Sequence, residues 1–244
     1  MITKGIILAG GHGSRLAPLT KVTSKQLLPI YDEPLIYFPL RILLRMGIRN
    51  VLIISAPHHA EDFLELLGSG KDFDAHFEYT IQEKPAGIAH GLALAENFAA
   101  GENIALILGD NIFFEAFSEQ TAAQFTAGAQ IFVKEVHDPE RFGVVELAGT
   151  EVISLEEKPK QPKSPYAQTG MYFYDAAVFD KIRSLAPSER GELEITDLNK
   201  LYLQEKSLKA QILNKEWIDA GTFESLFEAA SLVRALRQKK LEKF

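Results

Sequence analysis

Arg15 and Lys25 lie in the stretch IILAGGHGSRLAPLTKVTSKQLLPI, residues 6–30, and no Asp or Glu occurs anywhere in residues 1–30. Lys4 and Lys21 add to this local positive charge. Gly10, Gly11 and Gly13 come just before Arg15, so bare backbone and a guanidinium share one loop. Glycine lets backbone N–H groups approach a ligand closely, and successive N–H groups form an anion-binding nest. Arginine adds a bidentate contact to phosphate oxygens. A plain strand-to-helix turn would explain the glycines, but not the arrival of Arg15 and Lys25 on the same stretch. Two named phosphate loops fail on residues. There is no Gly-Lys-Ser/Thr for a Walker A loop, and a dinucleotide fingerprint through Gly11 and Gly13 meets Leu16 where its third glycine should stand.

Two carboxylates extend the anion hypothesis. Asp110, in LGDN (108–111), follows the apolar run Ile104–Leu108 and so falls at the carboxyl end of a buried strand. Asp219, in WIDAGT (217–222), sits in a short loop before the last helix. One such Asp alone reads as a helix or turn cap. Two at one sheet edge suit Mg²⁺, which takes few protein ligands and keeps waters and phosphates. Lys158, in EEKP (156–159), ends a strand and could hold a second phosphate; taken alone it reads as a solvated surface lysine. Gln82 and Gly87, in QEKPAG (82–87), join a strand to a helix. Gln82 can donate to and accept from the edge of a base, and Gly87 leaves room for a flat ring. The bland reading is an ordinary loop. The histidines do not cluster at zinc spacing, and no G-x-S-x-G nucleophile elbow occurs.

Composition narrows the field. The formal net charge is −7, so the chain is a poor general nucleic-acid binder, and any anion site must be a local concentration of positive charge. Cysteine is absent, which removes disulfides, thiolate metal sites and a cysteine nucleophile. The N-terminus runs straight into a strand pattern without a signal peptide, and no apolar run approaches the ~20 residues of a membrane span. The expectation is a soluble, cytoplasmic protein with no nucleic-acid or membrane partner.

Strand and helix patterns must position these residues. Buried or alternating strand patterns occupy 5–10, 50–56, 77–82 and 103–111, separated by helical patterns at 34–47, 59–68 and 87–100. Pro39 should kink the first helix or shift its start. This β-α-β rhythm argues parallel strands with right-handed crossovers, which bind ligands beyond their carboxyl ends. Later strand patterns at 130–136, 142–147, 152–158 and 169–175 stand close together and predict an antiparallel extension of a mixed sheet. Helices are expected before and after that group and at 192–206, with a further strand at 208–213. A final helix, 222–243, carries Phe223, Leu226, Phe227, Ala230, Val233 and Leu236 on one stripe, with Lys239, Lys240 and Lys243 at its negative pole. Such a helix suits packing on its own domain or on a second subunit, and a homo-oligomer is expected. The whole reads as one α/β domain over 1–244 with a substrate-binding lobe folded into it, in three stretches: 1–115, 116–221 and a terminal helix, 222–244.

Six blocks in order carry a family resemblance: GIILAGGHGSRLAPLTKVTSKQLLPI, LGDN, DPERFGVVE, ISLEEKP, GELEITD and WIDAGT. Together, over about residues 5–230, they resemble the sugar nucleotidyltransferases, in the short form that has one terminal helix. The resemblance implies a three-layer α/β/α, Rossmann-like nucleotide-diphospho-sugar transferase fold with a mixed central sheet. It implies that Leu8, Gly10, Gly11, Gly13, Ser14, Arg15 and Lys25 hold the nucleotide, with Gln82 and Gly87 on the base. Asp110 and Asp219 would bind Mg²⁺. Asn111, Gly143, Glu157, Lys158, Thr169 and Gly170 would form the sugar side, and Arg15, Lys25, Asp110 and Lys158 would be catalytic. The implied substrates are dTTP and glucose 1-phosphate, giving dTDP-glucose for deoxysugar and dTDP-rhamnose synthesis, with UTP as the alternative nucleotide.

A nucleotide-sugar sensor without turnover is a further reading, opposed by the intact Lys25, Asp110 and Asp219. A hydride-transferring Rossmann enzyme is opposed by Leu16. Ser14 and Ala220 stand where the family often has Thr, and Gln168 stands where a small apolar residue is frequent.

Overall fold

The structure is a computed structural model that describes residues 1–239. Its parallel half is built from β1 (Lys4–Ala9), β4 (Asn50–Ser55), β5 (His76–Ile81) and β6 (Ile104–Leu108). β2 (Pro29–Ile30) and β3 (Glu33–Pro34) form a small hairpin between β1 and β4. β1 pairs in parallel with both β4 and β6, and β4 with β5. The second half adds β7 (Asn111–Phe113), β8 (Ala129–Glu135), β9 (Gly143–Ala148), β10 (Glu151–Glu157), β11 (Tyr166–Tyr174), β12 (Leu208–Ile212) and β13 (Trp217–Asp219). β11 runs antiparallel to β6, β8 and β9, and so joins the halves into the mixed sheet that was expected.

Alternation along the central strands separates two cores. In β1, Ile7 and Ala9 face one side, against α1 (Tyr37–Arg45), α2 (Ala60–Leu67) and α5 (Glu119–Ala123). Ile6 and Leu8 face the other side, against α3 (Ile88–Ala93), α4 (Glu96–Ala99), α6 (Val178–Arg183) and α7 (Ile195–Gln204). Strands buried on both faces are apolar at nearly every position, which is why they read as unbroken runs.

The shifted helix start that Pro39 suggested is found, and four other expectations are corrected. The first helix begins at Tyr37. Pro39 therefore sits in its first turn, where a missing N–H leaves no bond unmade. The expected helix 87–100 is two short helices, α3 and α4. The expected strand 103–111 ends at Leu108; the chain turns and starts β7, which pairs antiparallel with β13 in a loop expectation that proved to be a strand. The terminal helix α8 (Phe223–Gln238) buries Ala229 and Val233 and leaves Phe223 and Phe227 exposed, so its inner face is rotated from the stripe drawn on the sequence. Lys240 and Lys243 of that expectation lie outside the described residues.

An ion-pair cluster fastens α8 to the site's scaffold. Glu33 accepts from both guanidinium nitrogens of Arg41 on α1, and from Arg237 Nη2 of α8 at 2.7 Å. Burial alone would raise the Glu33 pKa, but the arginines outweigh it and hold the carboxyl below its usual range. Its stabilisation is thus present above the ordinary carboxylate pKa and is lost as pH falls through the lowered one. Glu33→Gln should lower stability by about 2–3 kcal/mol, because two partly buried arginines lose their counter-charge. Thermal melting at pH 7 measures this, and kcat at 25 °C should be unchanged.

Candidate active site

β1 delivers its C-terminal end to the glycine loop, and Gly109 N–H donates to Leu8 O at 2.8 Å where the neighbouring β6 ends. A cleft of about 660 Å³ opens beyond these strand ends. Gly10, Gly11, Ser14 and Arg15 line it, with Lys25 carried on a short 3₁₀ turn over Lys25–Leu27. A Cβ on Gly11 would stand 3.5 Å from Lys25 Nζ, so the ammonium lies directly beside the bare backbone. Gly13 is the one expected site residue that does not line the cleft. It takes a left-handed φ of 61° and packs on Thr20, whose hydroxyl donates to Gly13 O at 2.9 Å. Its job is to turn the loop.

The two carboxylates meet because β7 and β13 pair. Asp219 is the register partner of Asn111, and Ala220 N–H donates to Asp110 O at 2.9 Å. Lys25 donates to Asp110 Oδ2 in a short ion pair. For both partners burial disfavours charge, but each outweighs it for the other: the Lys25 pKa rises and the Asp110 pKa falls. Among the described residues Asp219 has no such partner at contact distance, with Arg15 Nη2 at 3.9 Å. Burial and the Asp110 charge push it up to about 6. A pair of oxygen donors short of one positive charge fits a hard divalent cation. No group of three or more His, Cys, Asp or Glu that could hold a metal ion occurs among the described residues.

Asn111 is buried and locks this corner. Its Oδ1 accepts from Gly170 N–H at 2.9 Å and Trp217 Nε1 at 2.7 Å, which leaves Nδ2 to donate to Asp110 Oδ1 at 3.0 Å. A Cβ on Gly170 would meet Asn111 Oδ1 at 2.5 Å.

At the far end of the cleft, β10 presents Glu157. Strand alternation would send the next side chain to the other face. Lys158 takes φ 44° instead, and its Nζ lies 3.5 Å from Glu157 Oε1. Arg190 Nη2 approaches Glu157 Oε1 at 3.3 Å and Glu194 Oε2 at 2.8 Å. Thr169 reaches the cleft, but its hydroxyl donates to Phe132 O at 2.8 Å, so it has no proton to offer a ligand.

On the nucleotide-loop side, Gln82 Nε2 is 3.0 Å from His90 Nδ1 and 3.5 Å from Gly87 O. Gly87 lines the cleft, but what requires a glycine there is the neighbouring backbone. A Cβ there would meet Leu193 O at 2.4 Å, so the space belongs to the backbone of residue 193, with φ at 101°.

The sequence profile of the nucleotidyl transferase family matches residues 4–235. The chain belongs to that family. Glucose-1-phosphate thymidylyltransferase of Neisseria meningitidis is 50% identical over 241 residues, 96% of this chain and 83% of that protein. Its namesake from Xanthomonas campestris is 45% identical over 243 residues, 97% of this chain and 82% of that protein. A Bacillus anthracis structure described as a glucose-1-phosphate thymidylyltransferase in complex with sucrose superposes with a TM-score of 0.90, at 46% identity and 95% coverage of each chain. A UDP-glucose pyrophosphorylase complexed with UDP-glucose shares the fold, with a TM-score of 0.86 at 24% identity and 96% and 99% coverage.

In this nucleotidyl transferase the cleft also contains residues that reading the sequence did not single out, Arg141, Arg190, Glu194, Thr196 and Trp217, together with Gln168, which it noted only as a departure from the family. Three of them stand in or beside GELEITD, a block visible as a string but with no residue pattern that names a role.

Proposed function

We propose that the chain transfers a thymidylyl group from dTTP to α-D-glucose 1-phosphate, releasing pyrophosphate and giving dTDP-glucose. One observation carries this reading: the glycine loop, Lys25 and the Asp110–Asp219 pair converge at one end of a cleft whose other end holds Glu157, Lys158 and Arg190. The shared name of relatives at 45–50% identity supports the choice of substrates. Residues 1–115 supply the nucleotide half, 116–221 the sugar-phosphate half, and α8 closes the back. The protein would work in the cytoplasm on small molecules, and no helix among the described residues is long and apolar enough to cross a membrane.

A phosphate oxygen of the sugar phosphate attacks the α-phosphorus. The bond from that phosphorus to the β-bridging oxygen breaks, and its electrons leave on pyrophosphate. The nucleophile is already ionised near neutral pH, so no general base is needed. Protein work is then positioning and charge stabilisation. Gly10 and Gly11 offer backbone N–H groups to the triphosphate, with Leu8 and Ser14 beside them, and Arg15 adds its guanidinium. Lys25 sits where the leaving phosphates gather negative charge. Gln82 contacts the base, and Lys158 meets the sugar phosphate. Glu157 and the backbone at Thr169 and Gly170 border the sugar. Mg²⁺ held by Asp110 and Asp219 would neutralise phosphate charge.

Pyrophosphate release from dTTP and glucose 1-phosphate tests the reading, and silence with every nucleotide–sugar pair would end it. Uracil lacks only the thymine methyl, worth ~1–3 kcal/mol, so UTP should be slower by roughly 5- to 150-fold in kcat/KM.

A further inference from the structure

A file of hydrogen bonds runs from the core beneath the cleft to Glu157. The Tyr174 hydroxyl donates to Asn199 Oδ1 at 2.7 Å. Asn199 Nδ2 must then donate, and does so to Gln168 Oε1 at 2.7 Å. The Gln168 amide is oriented in turn, and its Nε2 donates to Thr196 Oγ1 at 3.0 Å. Thr196 gives its own proton to Glu157 Oε2 at 2.5 Å. Each amide is held at both ends, so every link has one polarity. Burial pushes the Tyr174 pKa well above its usual value, which keeps the first donor a donor.

The file is also the rigid side of Glu157. Tyr174, Asn199 and Thr196 are fully buried and Gln168 nearly so. Of the cations on the other oxygen, Lys158 is 47% exposed, and Arg190, 42% exposed, is held chiefly by Glu194 and reaches Glu157 only at 3.3 Å. A Cβ on Gly143 would stand 2.2 Å from Gln168 Nε2 and 2.8 Å from Thr196 Oγ1. Glycine at 143 therefore makes room for these two side chains rather than for a ligand.

We propose that Gln168 is a positioning residue for the sugar subsite: acting through Thr196, it fixes the Glu157 carboxylate and so sets how tightly sugar hydroxyls are held. The inference rests on the reading above that Glu157 borders the sugar. A buried hydrogen bond lost from this file is worth roughly tenfold in affinity.

The test is steady-state kinetics on purified full-length variants. Gln168→Leu should raise KM for glucose 1-phosphate about tenfold and leave KM for dTTP within about twofold. Gln168→Glu keeps the acceptor for Asn199 but turns an oxygen towards Thr196, drawing the hydroxyl proton away from Glu157; KM for the sugar phosphate should rise again. Thr196→Val should do the same, and Gln168→Leu added to it should cause no further rise, since both cut one path. If Gln168→Leu does not fold, Gln168→Glu and Thr196→Val carry the test. Unchanged sugar-phosphate KM in both Gln168 variants, or an equal rise in both KM values, would overturn the proposal. Glu157→Gln separates the two layers. A raised sugar-phosphate KM there, with Gln168 variants normal, removes only the positioning role. No change there removes the sugar-side assignment of Glu157 and this proposal with it.

Discussion

Asp110→Asn is expected to lower kcat by about 10³-fold or more while the protein stays folded. Asp110 accepts from Lys25 and from Asn111, and it stands at the turn between β6 and β7. An amide there cannot neutralise or hold a divalent cation as a carboxylate does, and it puts an N–H₂ or a weak acceptor before Lys25. The Lys25 ammonium is not stranded, because Asp219 also acts favourably on it and is itself short of positive charge. That second partner is why the fold should survive a change that would otherwise leave a buried cation alone. Single-turnover pyrophosphate release and far-UV circular dichroism together check the expectation. A variant with kcat within tenfold of the native protein would take Asp110 out of the mechanism.

Asp219→Asn should also abolish most turnover, yet make the metal-free protein more stable. Burial and the neighbouring Asp110 charge push Asp219 up to about 6. A raised carboxyl pKa means that the folded state binds a proton more readily than the unfolded chain. Stability therefore falls as pH rises from the ordinary carboxylate range, about 4, through 6. At neutral pH the charge on Asp219 costs roughly 3 kcal/mol, and removing it should raise Tm by about 6–12 °C. The gain should shrink below pH 6, where the native carboxyl is already protonated. Mg²⁺ should raise Tm of the native protein and leave that of Asp219→Asn nearly unmoved. A variant that melts lower than native at pH 7.5 would contradict the account.

The parallel half was legible because Gly5–Gly10, Asn50–Ala56 and Ile104–Leu108 are short apolar runs closed by turn residues, and burial on both faces writes that pattern directly. The site was legible where a side chain's chemistry is its own signal, as with Arg15, Lys25, Asp110 and Asp219. It was not legible where geometry decides. β7 and β13 have three residues each, too few for a period, so the pairing that joins the two carboxylates left no trace in the sequence pattern. Gly87 looked like room for a flat ring, and Gly143 and Gly170 were expected on the sugar side; all three line the cleft, but the place a side chain would take at each is filled by the backbone of Leu193, by the Gln168 amide and by the Asn111 amide. Thr169, expected on the sugar side, reaches the cleft, but a backbone carbonyl on β8 already takes its hydroxyl proton. On α8 the stripe was drawn from residue types, and the hairpin and β13 chose a neighbouring face.

The β7–β13 pairing also sets a calendar for the ribosome. All the phosphate-contacting candidates of the opening loop, and Asp110, emerge in the first half of synthesis. Their second carboxylate arrives only with Trp217–Asp219, after every other strand has been made. A chain ended before Trp217 has the glycine loop, Lys25 and Asp110 but lacks the second carboxylate. On the proposed roles of Asp110 and Asp219, turnover would require that the chain has been finished through residue 219.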